Sequence, residues 1–391
     1  MGLISYLVPI SKIILVAAIL TPSTTGTIGT SRTATDGADR IRSDQWHLTY
    51  LKTAKAHTIS QGEGVTVAVP DTGIDPHPDL AGNLLPGIDI TPDKGGDGRR
   101  DNDGHGTTVA GLIAAHGQGT TKGALGIAPK AKIIPIRVNL DSRHANVDDL
   151  ASGIDYAIER GAQVISVSMA AEPSIKLQQA IESAVRANIV VVAGSGNHPQ
   201  EATVAFPAAY PGVIAVGGID RSGRIAPISV TGPEVDVVAP AEDIYSTSMG
   251  ENYSRSNGTS DATAIVAGAA ALVRAKYPYL PADEVAHRLT ATAIDKGPPG
   301  RDDQYGYGVI DLVAALTADV PPRGFESVPA TSPDVAGPTT AAADGPPAGV
   351  GGAATVRGLV TLGLLVAGGV AWALVVRHRR RSDDPPPRVS R

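Results

Sequence analysis

Val65-Thr-Val-Ala-Val69-Pro-Asp71-Thr-Gly73 is an apolar run that stops abruptly at a carboxylate and a glycine. A short valine-rich stretch bounded by Pro and Gly reads as a strand buried on both faces. Comparable runs recur at 132–138, 163–168, 189–193, 213–216 and 235–238, and helical stretches such as 148–159 and 174–187 lie between them. Buried strands separated by helices imply an α/β fold, with a mostly parallel central sheet covered by helices on both faces. Loops that follow the strands then gather at one sheet edge. Residues 61–317 suffice for one large core, and the 391-residue chain leaves no room for a second domain of that size.

Two further segments set a reactive side chain beside glycine: Gly104-His105-Gly-Thr107 and Asn257-Gly-Thr-Ser260. Together with Asp71 they supply an acid, a base and a nucleophile. A hydroxyl attacks at neutral pH only if an imidazole takes its proton, and a carboxylate fixes the imidazole's tautomer and stabilises its charged form. Each segment alone reads as a loop or a cap; the set points to a serine hydrolase. The chain order Asp, His, Ser is that of subtilisin and differs from the orders of chymotrypsin and the α/β-hydrolases. From about 62 to 316 the chain resembles the subtilase family of serine peptidases. Val67-Ala-Val-Pro-Asp71-Thr-Gly-Ile-Asp75 is similar to the family's aspartate motif, Asp103-Gly-His105-Gly-Thr-Thr-Val-Ala-Gly111 to its histidine motif, and Gly258-Thr-Ser260-Asp-Ala-Thr-Ala-Ile-Val-Ala-Gly268 to its serine motif. The resemblance implies a subtilisin-like fold, endopeptidase activity, and catalytic roles for Asp71, His105 and Ser260.

A fourth element is Ile189-Val-Val-Val-Ala-Gly194-Ser-Gly-Asn197, a strand ending in glycines and an amide. By itself Asn197 reads as a turn residue; the resemblance implies that it donates to the oxyanion, a contact whose loss in subtilisin costs about 3–4 kcal/mol. Gly258 is expected to let the backbone turn tightly. The run 261–277 favours a helix, so the Ser260 N–H belongs to a helix N-terminus and is expected to act as the second oxyanion donor. Asp261 stands where the family often carries Met or Phe, and Ala264 where proline is usual. A carboxylate turned inward at 261 is expected to slow the reaction.

Val164-Ile-Ser-Val-Ser168-Met169-Ala170-Ala171 resembles the family strand that lines the substrate pocket and pairs with the peptide backbone. Ser168, Met169, Ala170 and Gly194 are the expected substrate-binding residues, and Val164, Ile165 and Val167 plain core. Ala170 and Ala171 replace expected glycines, and their methyls narrow the space for a substrate chain.

The ends of the chain bear on location. Residues 1–27 carry one lysine, Lys12, before an apolar run at 13–20, which reads as a signal peptide, with an uncleaved anchor as the alternative. Residues 358–376 hold 19 uncharged positions, enough for a transmembrane helix, and Arg377-His-Arg-Arg-Arg381 opens a basic tail, 377–391. The positive-inside rule keeps that tail cytoplasmic and places the catalytic domain outside a single-pass cell-membrane anchor. Residues 318–357 read as a disordered Pro/Ala/Gly-rich linker, with a reach on the order of 35 Å as a coil and roughly 120 Å if extended.

This layout, with Asp44-Gln-Trp46-His-Leu48 in a segment 28–60 ahead of the domain, is similar to that of the mycosins, membrane-anchored subtilases associated with type VII secretion. The resemblance implies that 28–60 wraps the catalytic domain and that the partners are exported proteins or a secretion complex. Mycosins often carry disulfides, whereas this chain has no cysteine, so thiol chemistry is excluded. No metal or other cofactor is expected. The stretch 93–103, with Asp101-Asn-Asp103-Gly104, lacks the glutamate of an EF-hand loop, includes Arg99 and Arg100, and reads as a solvated loop. The loop 116–123, where some subtilases bind calcium, has no carboxylate and gains Lys122. His77, His116, His144 and His198 read as surface or turn residues. The net charge of −6 and the membrane-adjacent position of the one dense basic cluster argue against nucleic acid as a partner.

Two functions of different kind follow: a surface-tethered peptidase processing exported proteins, or a structural component of a secretion membrane complex with dispensable proteolysis. An unspecialised degradative enzyme fits the tether and the Ala170-Ala171 pair less well. His105 must be neutral to accept a proton, so turnover should fall on acidification through its pKa.

Overall fold

The computed structural model describes residues 38–91, 95–142 and 145–323. The signal segment, positions 28–37 of the extension, His144, the linker beyond 323, the apolar segment 358–376 and the basic tail lie outside the described residues. Among the described residues, no helix is long and apolar enough to cross a membrane.

In chain order the strands are β1 Thr66–Asp71, β2 Ile88–Asp89, β3 His116–Gln118, β4 Lys122–Leu125, β5 Lys132–Arg137, β6 Val164–Val167, β7 Val190–Gly194, β8 Val213–Ile219, β9 Val237–Pro240, β10 Ile244–Ser248 and β11 Asn252–Ser256. The helices are α1 Ala38–Asp44, α2 Trp46–Tyr50, α3 Thr53–His57, α4 His105–Ala114, α5 Val147–Glu159, α6 Ile175–Arg186, α7 Thr259–Lys276, α8 Ala282–Ala291 and α9 Leu312–Thr317. Seven strands form a parallel sheet in the order β2-β5-β1-β6-β7-β8-β9. β10 with β11 and β3 with β4 make small antiparallel pairs.

The two-residue period of a strand sends alternate side chains to opposite faces. Val67 and Val69 of β1, and Val190 and Val192 of β7, join one apolar layer with Leu112 of α4 and most of α7. Ala68, Val191 and Ala193 join the other, with Leu150 and Ile154 of α5 and Leu177 and Ile181 of α6. Both faces being covered explains why the strands read as continuous apolar runs. Helix α7 is buried from Thr259 to Arg274 except at Ser260, and small residues let it lie close: a Cβ on Gly268 would sit 2.7 Å from Ile127 Cβ. Conventional caps start two of the outer helices. Asn146 Oδ1 accepts from the Asp148 and Asp149 N–H groups (3.0 and 3.1 Å), and Ser174 Oγ from the Leu177 N–H (3.0 Å).

The described part of the N-terminal segment packs against this body. Trp46 Nε1 donates to the Glu242 carbonyl (3.0 Å), Ser60 Oγ to the Leu272 carbonyl (2.9 Å), and Gln45 is bound through both ends of its amide to Leu125. The Arg42 guanidinium reaches into the β3–β4 hairpin and donates to the carbonyls of Gly123 (3.0 Å), Lys122 (3.1 Å) and Thr120 (3.3 Å). His47 is fully buried, and among the described residues neither of its ring nitrogens is hydrogen-bonded.

Candidate active site

Asp71 ends β1, Ser168 follows β6 and Asn197 follows β7, and these are adjacent strands. The parallel sheet therefore delivers three polar residues to its carboxyl-terminal rim, where α4 and α7 begin with His105 and Thr259-Ser260. Strand ends in α/β sheets form such crevices because the connecting loops diverge there.

Asp71 is inaccessible to solvent and His105 one-fifth exposed, and Asp71 Oδ1 lies 2.7 Å from His105 Nδ1. The same oxygen accepts the Thr72 N–H at 2.7 Å, which fixes the carboxylate plane. His105 is positioned by what precedes it. Gly104 sits at φ +95°, a left-handed conformation that glycine adopts without strain, and starts α4 with no side-chain cap of its own. The cap comes from a distance. Asp101 Oδ1 accepts from the Gly104 N–H (2.8 Å), its Oδ2 from the Thr107 N–H (3.0 Å) and hydroxyl (2.6 Å), and Thr72 Oγ1 takes the Gly106 N–H (3.0 Å). Asp101 is buried, which corrects its reading as part of a solvated loop; the helix start withdraws it from water. Burial pushes its carboxyl above the usual range although these donors oppose the shift. Sequence reasoning missed this positioning residue, whose one signal was a carboxylate a turn ahead of the Gly-His start.

Ser260 lies in the first turn of α7, and its N–H has no carbonyl four residues back within the helix. Gly258 is extended (φ 166°) rather than tightly turned, contrary to the expectation drawn from the glycine. The Thr259 N–H donates to Asn197 Oδ1 (2.9 Å), which orients the Asn197 amide and leaves Nδ2 without an acceptor among the described residues. An amide N–H and a helix-terminal N–H beside one hydroxyl form the chemical set that can stabilise an oxyanion. The Ser260 hydroxyl donates to the Ser168 carbonyl at 3.0 Å rather than to His105, and Ser168 Oγ donates back to the Ser260 carbonyl at 3.3 Å. Burial alone would depress the His105 pKa, but Asp71, with smaller contributions from Asp103 and Asp261, holds it up at about 9.

The remaining expected residues are distributed differently. Met169 is packed in the apolar layer under α5 and α6, and Gly194 ends β7 where a Cβ would press on Thr263 and Thr259 of α7 (3.0 and 3.1 Å). The Ala170 carbonyl accepts from the Ala145 N–H (3.0 Å) and the Ala171 N–H donates to the Phe206 carbonyl (2.9 Å), so both of these backbone groups are bonded within the chain. Asp261 is turned inward and buried: Oδ1 accepts from Ser256 Oγ (2.9 Å), and Oδ2 has no partner among the described residues. Burial raises its carboxyl to about 7, although Ser256 and His105 oppose the rise.

His77, read as a surface or turn residue, is buried: Nδ1 accepts from the Asp79 N–H (3.0 Å), Nε2 faces the Asn252 carbonyl (3.1 Å), and the ring packs edge-on against Tyr253. Its partner strand lies 175 positions away, beyond the reach of local pattern. His116 and His198 are at least partly exposed. No group of three or more metal-ligating side chains occurs among the described residues.

Comparison with known proteins follows the same outline. The model of the Subtilase family matches residues 62–308. Subtilisin Savinase of Lederbergia lenta is 38% identical over 272 residues, covering 69% of this chain and 97% of its own. Mycosin-1 of Mycobacterium tuberculosis is 36% identical over 336 residues, covering 71% and 74%. Among solved structures, the serine protease MycP1, described as an essential component of the type VII (ESX-1) secretion system, superposes with a TM-score of 0.66 at 34% identity over 73% of this chain and 91% of its own. The MycP3 protease from the type VII (ESX-3) system gives 0.61 at 33% identity over 75% and 90%.

Proposed function

The chain belongs to the subtilase family of serine peptidases and is related to the mycosins, and from that premise we propose that it cleaves peptide bonds through an acyl-enzyme formed on Ser260. The observation that carries this reading is the 2.7 Å contact of His105 with Asp71 on the rim shared by Ser260 and Asn197. Ser260 swings from the Ser168 carbonyl toward the free edge of His105, loses its proton to Nε2 and attacks the substrate carbonyl. Asp71 stabilises the resulting imidazolium. Asn197 Nδ2 and the Ser260 N–H hold the oxyanion; His105 then protonates the leaving amine, and water releases the acyl group by the same steps in reverse. Gly194 and the segment Ser168, Met169, Ala170 shape the cleft, and the internal pairing of 170 and 171 favours a narrow substrate range.

In this reading residues 1–27 direct export, 28–60 wrap the peptidase domain 61–317, 318–357 tether it, and 358–376 span the cell membrane with 377–391 in the cytoplasm. The uncharged stretch followed at once by five basic residues supports that orientation. The tethered enzyme works on the outer face, on exported proteins in a type VII secretion setting. A structural role in a secretion complex is the second reading, favoured by the description of MycP1 as an essential component of such a system.

Labelling of the full-length chain with a fluorophosphonate, beside a Ser260→Ala control, tests the chemistry. We expect one adduct that the substitution abolishes; no Ser260-dependent adduct overturns the peptidase mechanism. Export that persists unchanged in cells carrying Ser260→Ala then selects the structural role.

A further inference from the structure

The amide of Asn197 can serve an oxyanion only as well as the backbone beneath it is fixed. β7 ends at Gly194, and Gly196 lies at φ +108°, so the chain has left the sheet through a turn before Asn197 is reached. The peptide unit joining Gly196 to Asn197 is nevertheless held at both ends. Its carbonyl accepts from the Val230 N–H (3.1 Å) and the Thr259 hydroxyl (3.3 Å), and its N–H donates to Glu201 Oε2 at 2.7 Å. On the other side of the residue, the Asn197 carbonyl accepts from the Glu201 N–H at 3.1 Å. Glu201 thus grips Asn197 from both directions, and its stem packs on the turn: a Cβ on Gly196 would stand 3.1 Å from Glu201 Cβ and 3.2 Å from Cγ. His198, Pro199 and Gln200 between them are exposed, whereas Glu201 is half-buried. With Asn197 Oδ1 taken by the Thr259 N–H (2.9 Å), Nδ2 is the donor that remains.

We propose that Glu201 is a positioning residue for the oxyanion donor: its carboxylate fixes the peptide unit before Asn197 and so aims Nδ2 at the oxygen that becomes negative. The inference rests on the Ser260 acyl-enzyme reading. Closing the loop does not by itself require the side chain, because the backbone bond from the Glu201 N–H to the Asn197 carbonyl already does so. The carboxylate adds a hold on the orientation of the preceding peptide plane, and a bond from an N–H to a charged oxygen is about twice as strong as a neutral one. A donor aimed in advance contributes fully when charge develops, whereas one that must first be turned gives part of that contribution back. A fixed negative charge near an oxyanion opposes it by Coulomb's law, so what the glutamate contributes is geometry and not its charge. An uncharged side chain of the same length that still offers an oxygen should therefore serve in its place.

The test is the concentration dependence of fluorophosphonate labelling in the full-length chain, with Ser260→Ala as background. The probe's P=O oxygen takes the place of the substrate's carbonyl oxygen, so the saturating rate reads the oxyanion donors and the concentration at half that rate reads binding. We expect Asn197→Ala to lower the saturating rate by about a hundredfold or more, and Glu201→Ala to lower it by about tenfold, a fraction of the cost of a full misplacement, with the half-saturating concentration unchanged. Glu201→Gln should restore most of the rate. In the Asn197→Ala background Glu201→Ala should cost nothing further, because no amide remains to be aimed. A folded Glu201→Ala protein with the parent's saturating rate overturns the proposal, as does an equal loss with and without Asn197, or a Glu201→Gln protein as slow as Glu201→Ala; each leaves the peptidase reading intact. Absence of Ser260-dependent labelling in the parent overturns the peptidase reading and the proposal with it. Should Glu201→Ala not fold, Glu201→Asp, whose carboxylate is one methylene short, decides by the same two readings: a lower saturating rate at unchanged half-saturation supports the proposal, and parental behaviour rejects it.

Discussion

Single atoms govern whether the base meets its partner. A Cβ on Gly106 would come within 2.1 Å of the Gly73 carbonyl and 3.2 Å of Asp71 Oδ1, so Gly106→Ala must displace the start of α4 or the end of β1. A misplacement of about 1 Å in such a constellation costs on the order of a hundredfold in rate. We therefore expect kcat/KM of Gly106→Ala to fall by about that factor with the circular dichroism spectrum retained; parental activity would contradict the placement. Asp71, His105 and Ser260 could be singled out in the sequence because each sits beside glycines in a motif with little latitude. The direction of the Ser260 hydroxyl could not be, since it depends on the carbonyl of Ser168, 92 positions away and brought near by the order of the strands. Likewise the inward turn of Asp261 was a contingency in the sequence and becomes a fact only once Ser256 is seen beside it.

At the level of elements, the sheet and its helices could be read from periodicity because burial on both faces erases polar positions from the strands. β6 ends at Val167, one residue short of the expected strand, because Ser168 turns to meet α7. The cap of α4 was unreadable for a related reason. Capping rules look for the acceptor next to the helix, whereas Asp101 reaches the first turn from within a loop and holds the Gly104 and Thr107 N–H groups together. Asp101→Ala strands those donors in a buried place, and we expect a loss of about 2–4 kcal/mol in urea denaturation. A variant as stable as the parent would show that water or another group satisfies them. His105 rides on that helix, so labelling of Ser260 should weaken in step with stability.

For the whole molecule, the N-terminal segment ties folding to pH through His47. Burial without a partner lowers its pKa to about 3, against 6.5 for the free ring. The folded chain thus keeps the ring neutral while the unfolded chain protonates it. The stabilisation is present above about pH 6.5 and drains away as pH falls toward 3, by about 5 kcal/mol over the whole window and about 2 kcal/mol by pH 5. Urea midpoints at pH 7 and pH 5, compared between the parent and His47→Leu, isolate this contribution from that of His105, whose raised pKa acts in the opposite sense above neutrality. We expect the variant to lose most of the acid sensitivity; an unchanged difference between the two pH values would place its origin elsewhere. A buried ring with no bonding partner among the described residues leaves no trace in local sequence, so this property of the N-terminal segment could not be anticipated from it. The Arg42 contacts with the hairpin carry a different consequence. Where a loop gathers carbonyl oxygens around a positive charge, a dissolved ion can be diluted, sequestered or exchanged; a guanidinium fastened to the backbone cannot. The clasp between α1 and the β3–β4 hairpin therefore needs no dissolved ion at its centre, and its charge is inherited with the gene rather than drawn from the medium.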